Sequence, residues 1–240
     1  MRISQLSNRI IKKLSNAYFG LIGKDPISNL KVEPRDDLKE IGSPRGGWVV
    51  PESLFDAGSI CYCVGCGEDI TFDLGLIERF KCDVFAFDPT PRAIRHVQKA
   101  TEGETKYHFM DVGLWDKEDV LKFFVPQDSS HVSHSLLNLQ KTEEHISVNV
   151  KRLSHVMKEL GHSRLDLLKI DIEGAEYKVI DTIIEDGLDV RVLCVEYDEC
   201  FCPLDDQYKE RIAVSMNKII DMGYHLVCVQ GNGNYTFVKS

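Results

Sequence analysis

The side chains with the clearest chemical content sit together in one otherwise apolar run. In Asp166-Leu167-Leu168-Lys169-Ile170-Asp171-Ile172-Glu173-Gly174-Ala175-Glu176, a lysine lies inside a stretch that reads as a central strand. Period-two alternation puts Lys169 and Asp171 on one face of that strand. A buried ammonium is costly unless paired. The partners at hand are Asp171, Glu173, or Glu196 on the next strand. Four charges at the carboxyl edge of a sheet read as the floor of an active site. The alternative is an ion-pair network that only holds strands together.

A second cluster is Val64-Gly65-Cys66-Gly67-Glu68-Asp69, directly after the strand-like run Ile60–Val64. Glycines at 65 and 67 let the backbone approach a ligand closely. A dinucleotide site needs a third glycine at position 70, where this chain has Ile70, and a helix N-terminus that welcomes pyrophosphate. Glu68 and Asp69 would each cost about 4 kcal/mol beside that anion at an effective dielectric near 20. The same carboxylates suit the cationic amino and sulfonium groups of S-adenosylmethionine (SAM), or else complement the positive end of a helix. Asp88 lies 23 residues beyond Gly65, the spacing of an acid that accepts ribose hydroxyls. Its other possible role is capping the next helix, in competition with Thr90. Asp111-Val112-Gly113 follows the third strand, where such a fold meets an adenine ring.

The elements that must position these groups alternate. Strand-like runs at Ile60–Val64, Val84–Asp88, Tyr107–Met110, Asp166–Asp171 and Val190–Tyr197 are separated by amphipathic patterns such as Pro91–Ala100 and Ala175–Asp186. Continuous apolar strands between amphipathic helices imply a parallel sheet covered on both faces. A further helical pattern, Asp206–Met222, leads to two last strands, His225–Val229 and Tyr235–Val238. Only Gln230 to Asn234 joins those two, too short for a parallel crossover, so they form an antiparallel hairpin. The expected fold is α/β, a doubly wound, mostly parallel seven-stranded sheet ending in that hairpin. This is the topology of class I SAM methyltransferases and not of the dehydrogenases.

The run from Leu168 to Glu176 resembles the signature of the FkbM family of SAM-dependent methyltransferases. The resemblance extends from about Ser59 to the last strand and takes in Asp88-Pro89-Thr90-Pro91, the Ile146–Leu153 strand entry, and Cys194-Val195-Glu196. It implies a Rossmann-like fold, SAM as cofactor, and O-methylation, often of sugar or natural-product hydroxyls. Two positions depart from the usual pattern of the class: Cys63 stands where an acid is common, and Asp69 replaces the third small residue of the glycine loop. On this basis Gly65, Gly67, Glu68 and Asp69 are expected to hold the methionine half of SAM and Asp88 the ribose. Asp111 and Val112 would meet the adenine, and Asp171 would act as base, with His134 as second choice. The acceptor is expected to be a small molecule or glycan. A non-catalytic binding module and a nicotinamide-dependent oxidoreductase are the competing functions.

Composition bounds the rest. The 240 residues are 43% hydrophobic and 28% charged, enough for a sizeable core in one domain. A net charge of −9 disfavours nucleic acid as a partner. Residues 1–24 carry five basic residues and no acid on a helical apolar spacing. This segment either packs on the domain or lies on a membrane surface. Residues 25–58 read as a lead-in segment and 59–240 as the methyltransferase domain. No apolar run reaches the roughly 18 residues of a membrane span. The eight cysteines fall largely in apolar runs without zinc-ligand spacing, which points to a reducing, cytoplasmic setting and no metal. A polar stretch with His131, His134 and His145 reads as a loop over the site.

Overall fold

The computed structural model describes residues 30–124, 143–172, 174–231 and 233–240. The segment 1–24 and the histidines 131 and 134 lie outside them. An antiparallel hairpin of β1 (Leu38–Ile41) and β2 (Trp48–Pro51) leads into β3 (Ile60–Val64), α1 (Thr71–Phe80), β4 (Asp83–Phe87), α2 (Pro91–Ala100) and β5 (Tyr107–Met110). Next come β6 (Gly113–Trp115), β7 (Asp119–Phe124), β8 (His145–Arg152) and α3 (Leu153–Leu160). The chain then forms β9 (Arg164–Ile170), α4 (Glu176–Glu185), β10 (Asp189–Glu196), α5 (Tyr208–Asp221), β11 (Tyr224–Gln230) and β12 (Asn234–Lys239).

Seven of these strands form one sheet in the order β11-β12-β10-β9-β3-β4-β5. The five from β10 to β5 run parallel, and β12 is antiparallel to both neighbours. The chain moves from β3 outward to β5, then returns to the other side of β3 with β9 and β10. That reversal leaves a crevice at the carboxyl ends of β3 and β9, the place where open α/β sheets bind ligands.

Period-two alternation assigns the two faces. Leu168 and Ile170 of β9 join Tyr62 and Val64 of β3 in one buried cluster, together with Val179 and Ile183 of α4. Leu167 joins Cys61, Cys63 and Cys194 in the other, under Phe72 and Leu76 of α1. Lys169 lies on this second face, paired in register with Cys63 on one side and Cys194 on the other.

Two features go beyond the sequence expectation. A separate sheet, ordered β6-β8-β7, follows β5, where only a strand beginning near Ile146 was expected. The lead-in segment also contains the β1–β2 hairpin, whose Trp48 and Val50 are core residues. Val49 N–H donates to Gln230 Oε1 at 2.7 Å, and Thr236 Oγ1 donates to the Val49 carbonyl at 2.8 Å. A two-stranded hairpin is marginal by itself, so its order derives from the sheet it lies on. Among the described residues no helix is long and apolar enough to cross a membrane. No disulfide is assigned among the eight cysteines.

Trp48 is 1% exposed. Trp48→Ala is expected to destabilise the fold by about 3–5 kcal/mol, as for other large aromatic truncations. Urea denaturation checks this, and a loss under 1 kcal/mol would detach the hairpin from the domain core.

Candidate active site

The switch point opens into a cleft of about 720 Å³. Its walls come from the loop after β3, the turn after β4, the start of β6, the end of β7 and the loop after β9. The hairpin loop contributes Arg45 and Gly46.

The loops after β3 and β9 are locked together by close backbone approach. Asp171 N–H donates to the Val64 carbonyl at 3.1 Å, while on the β4 side Gly65 N–H donates to the Phe87 carbonyl at 2.9 Å. Gly65 has φ +83°, and a Cβ there would lie 1.7 Å from the Asp171 carbonyl oxygen. Only glycine fits.

Lys169 ties the same two loops through its side chain. It is 7% exposed; its Nζ donates to the Gly65 carbonyl at 2.6 Å and pairs with Asp171 Oδ2 at 2.9 Å. Burial pulls the ammonium pKa down, but Asp171 and Asp73 outweigh it and hold the group well above its ordinary value. Glu196 ends β10, paired with Asn234, and does not line the cleft. Glu173 lies outside the described residues. Of the three partners the sequence offered, Asp171 pairs with Lys169, and the charge of Asp73, which sequence reasoning did not identify, also acts on it.

Asp73 comes from α1 and is 4% exposed. The Tyr107 hydroxyl donates to its Oδ2 at 3.0 Å, and the Cys63 thiol lies beside it. Cys63 occupies the strand position where an acid was expected, and Asp73 brings a carboxylate to its side from the helix. Burial raises the Asp73 carboxyl above its ordinary 3.8, although the Lys169 charge pulls it back. Burial likewise raises the Cys63 thiol and pushes Cys194 up to about 12, so both thiols beside Lys169 stay protonated.

The acids of the glycine loop and of β4 are tied down. Asp88 is 6% exposed and sits at the cleft, yet both its oxygens already have protein donors. Cys66 N–H and Gly67 N–H donate to Oδ2 at 3.1 and 2.9 Å; Thr90 N–H and Oγ1 donate to Oδ1 at 2.9 and 2.6 Å. Two chain donors thus reach each Asp88 oxygen and tie the acid to the glycine loop and the turn after β4. Asp69 accepts from Ser43 Oγ, Thr71 N–H and Thr71 Oγ1. Burial pushes Asp69 up, but those bonds outweigh it and hold the carboxyl below its ordinary value. Glu68 lines the cleft in an ion pair with Arg92 at 2.6 Å. On the β5 side, Asp111 is exposed and Val112 buried, and the cleft wall is Gly113 and Leu114. His134 lies outside the described residues. Among those described, no three His, Cys, Asp or Glu side chains are placed to hold a metal.

The sheet order, with its inserted antiparallel β12 and its cleft at the switch point, defines the class I methyltransferase fold. Residues 61–203 match the family model for the methyltransferase FkbM domain, and the chain belongs to that family of methyltransferases. The probable methyltransferase-like protein 24 of Homo sapiens is 28% identical over 130 residues, covering 53% of this chain and 29% of its own length. Its counterpart from Rattus norvegicus is 28% identical over 129 residues with the same coverage. The match thus spans less than a third of these curated relatives. Among solved structures, the precorrin-6y C5,15-methyltransferase of Geobacter metallireducens has a TM-score of 0.44 at 11% identity, covering 78% of this chain and 82% of its own. Aeropyrum pernix fibrillarin, solved with bound SAM, has a TM-score of 0.42 at 8% identity, covering 89% and 85%.

Membership implies SAM as methyl donor, and the donor set fits that cation. Glu68, Asp69, Asp88 and Asp171 line the cleft, against Arg45 and Lys169. A sulfonium and an amino group are favoured in such a field.

Two variants test the tethers. Because folding raises the Asp73 pKa, the fold prefers the protonated acid, and stability falls as pH rises from about 4 through the raised value. Asp73→Asn is expected to remove that fall, so its pH slope between 4 and 7 is flatter in urea denaturation. An unchanged slope would show that Asp73 is not the buried acid responsible. Asp88→Asn strips two of the four donors of their acceptor and is expected to lower ligand-free stability by about 1–3 kcal/mol. Stability equal to wild type would mean that the loop holds its shape without this carboxylate.

Proposed function

We propose that the protein is a SAM-dependent O-methyltransferase whose acceptor is a hydroxyl on a sugar or other small molecule. The observation that carries the proposal is Asp171 at the cleft floor. Its Oδ2 is pinned by Lys169, and its Oδ1 has no partner among the described residues. A carboxylate held by one oxygen presents the other in a fixed direction, which suits it to orient a hydroxyl and accept its proton. When bound, SAM supplies the electrophilic methyl group.

The rest of the site contributes alignment. The loop from Gly65 to Asp69 fixes the wall on which the methionine half rests, and Asp88 acts by holding that loop. Gly113, Leu114 and Phe123 make the apolar wall suited to the adenine. The negative net charge favours a neutral or cationic small acceptor over nucleic acid.

Isothermal titration with SAM and with S-adenosylhomocysteine tests the cofactor, and labelled-methyl transfer to a panel of sugars and glycans tests the acceptor class. Micromolar binding of both is expected. Asp171→Asn is expected to keep that binding within a few fold and to lower turnover about 10²-fold. Wild-type turnover in the variant would remove Asp171 from the chemistry. No binding of either ligand to folded protein would favour a non-catalytic module.

A further inference from the structure

The matched family domain begins at residue 61, yet one wall of the cleft comes from before it, in the loop of the β1–β2 hairpin. That loop is fastened to the N-terminal end of α1. Ser43 N–H donates to Thr71 Oγ1 at 2.8 Å, and Ser43 Oγ donates to Asp69 Oδ2 at 2.6 Å. Ser43 Oγ in turn accepts from Arg45 N–H at 3.1 Å and Gly46 N–H at 3.0 Å. Gly46 packs so closely that a Cβ there would lie 2.8 Å from the Asp69 carboxyl carbon. The position of Arg45 at the cleft is thus fixed by its two neighbours.

Arg45 and Lys169 are the cations that line the cleft. Lys169 is spent on Asp171 and the Gly65 carbonyl. The Arg45 guanidinium has no ion pair or hydrogen bond among the described residues. Arg45 is exposed and lines the cleft, so its charge is open to a ligand there. SAM carries one anionic group, the carboxylate of its methionine half, and an acid-lined cleft repels that group unless a cation meets it.

Resting on the reading of this cleft as a SAM site, we infer that Arg45 is a cofactor-specificity residue that binds the methionine carboxylate. Its planar fork matches a carboxylate with two parallel hydrogen bonds. The lead-in hairpin is then part of the cofactor site, and it makes the protein select the amino-acid form of the cofactor.

The test is a cycle of protein against ligand, read by titration calorimetry. Wild type and Arg45→Ala are each titrated with SAM, S-adenosylhomocysteine and decarboxylated SAM, which lacks only the carboxylate. The expected result is about a 10-fold loss for SAM and S-adenosylhomocysteine in Arg45→Ala, with decarboxylated SAM unchanged. Equal losses for all three would overturn the assignment, because Arg45 would then act through the loop or the general field. Unchanged affinity for all three would overturn it as well. Wild type that binds none of them would refute the cofactor site itself, a result distinct from either failure of Arg45.

Discussion

One buried ammonium organises this molecule. Lys169 stands in the centre of the sheet with thiols, Cys63 and Cys194, as its neighbours across the strands. An unpaired charge at that depth would be several kcal/mol too costly to keep. Its proton donors therefore dictate what surrounds them: a carbonyl from the glycine loop, a carboxylate from the end of β9, and the charge of Asp73 from α1. Each comes from a different loop or helix, so satisfying one side chain brings three segments to one point. That point is the floor of the cleft.

The backbone makes the same junction independently. Gly65 must be glycine because the Asp171 carbonyl occupies the space of its Cβ, and the amide of Asp171 closes on Val64. Side-chain and main-chain ties thus run in parallel between β3 and β9. Asp88 adds a third tie from β4 by collecting the amides of Cys66 and Gly67. Three adjacent strands thus tie down one short loop through contacts made within the chain itself. Pre-organisation of this kind lowers the cost of aligning a methyl donor with its acceptor.

The sequence made some of this legible and hid the rest for physical reasons. The seven-stranded sheet was readable because long apolar runs and helical patterns alternate, and because five residues between the last two strands allow only a hairpin. Lys169 was readable because a charge inside an apolar run demands a partner. Asp73 was not, since an acid near the start of an amphipathic helix looks like an ordinary dipole partner until the fold sets it beside Lys169. The strands β6 and β7 were missed because three and six residues, bounded by charge, carry little periodicity. For Asp88 the spacing pointed to an acid at the cleft, but no spacing reveals that four donors from the chain reach its carboxylate.

The departures in the glycine loop make sense within this scheme. A carboxylate at position 63 would have added a third acid to Asp171 and Asp73 around the same ammonium, leaving excess negative charge at that depth. A thiol there is small, neutral and raised in pKa by burial, so the helix can supply the charge instead. Asp69, in the place of a third small residue, serves as the anchor for the β1–β2 loop through Ser43. A glycine at that position would leave the hairpin loop without its main attachment. The two substitutions are therefore linked to two additions, Asp73 in α1 and the hairpin ahead of β3. Together they rebuild one wall of the cleft from parts that lie outside the glycine loop.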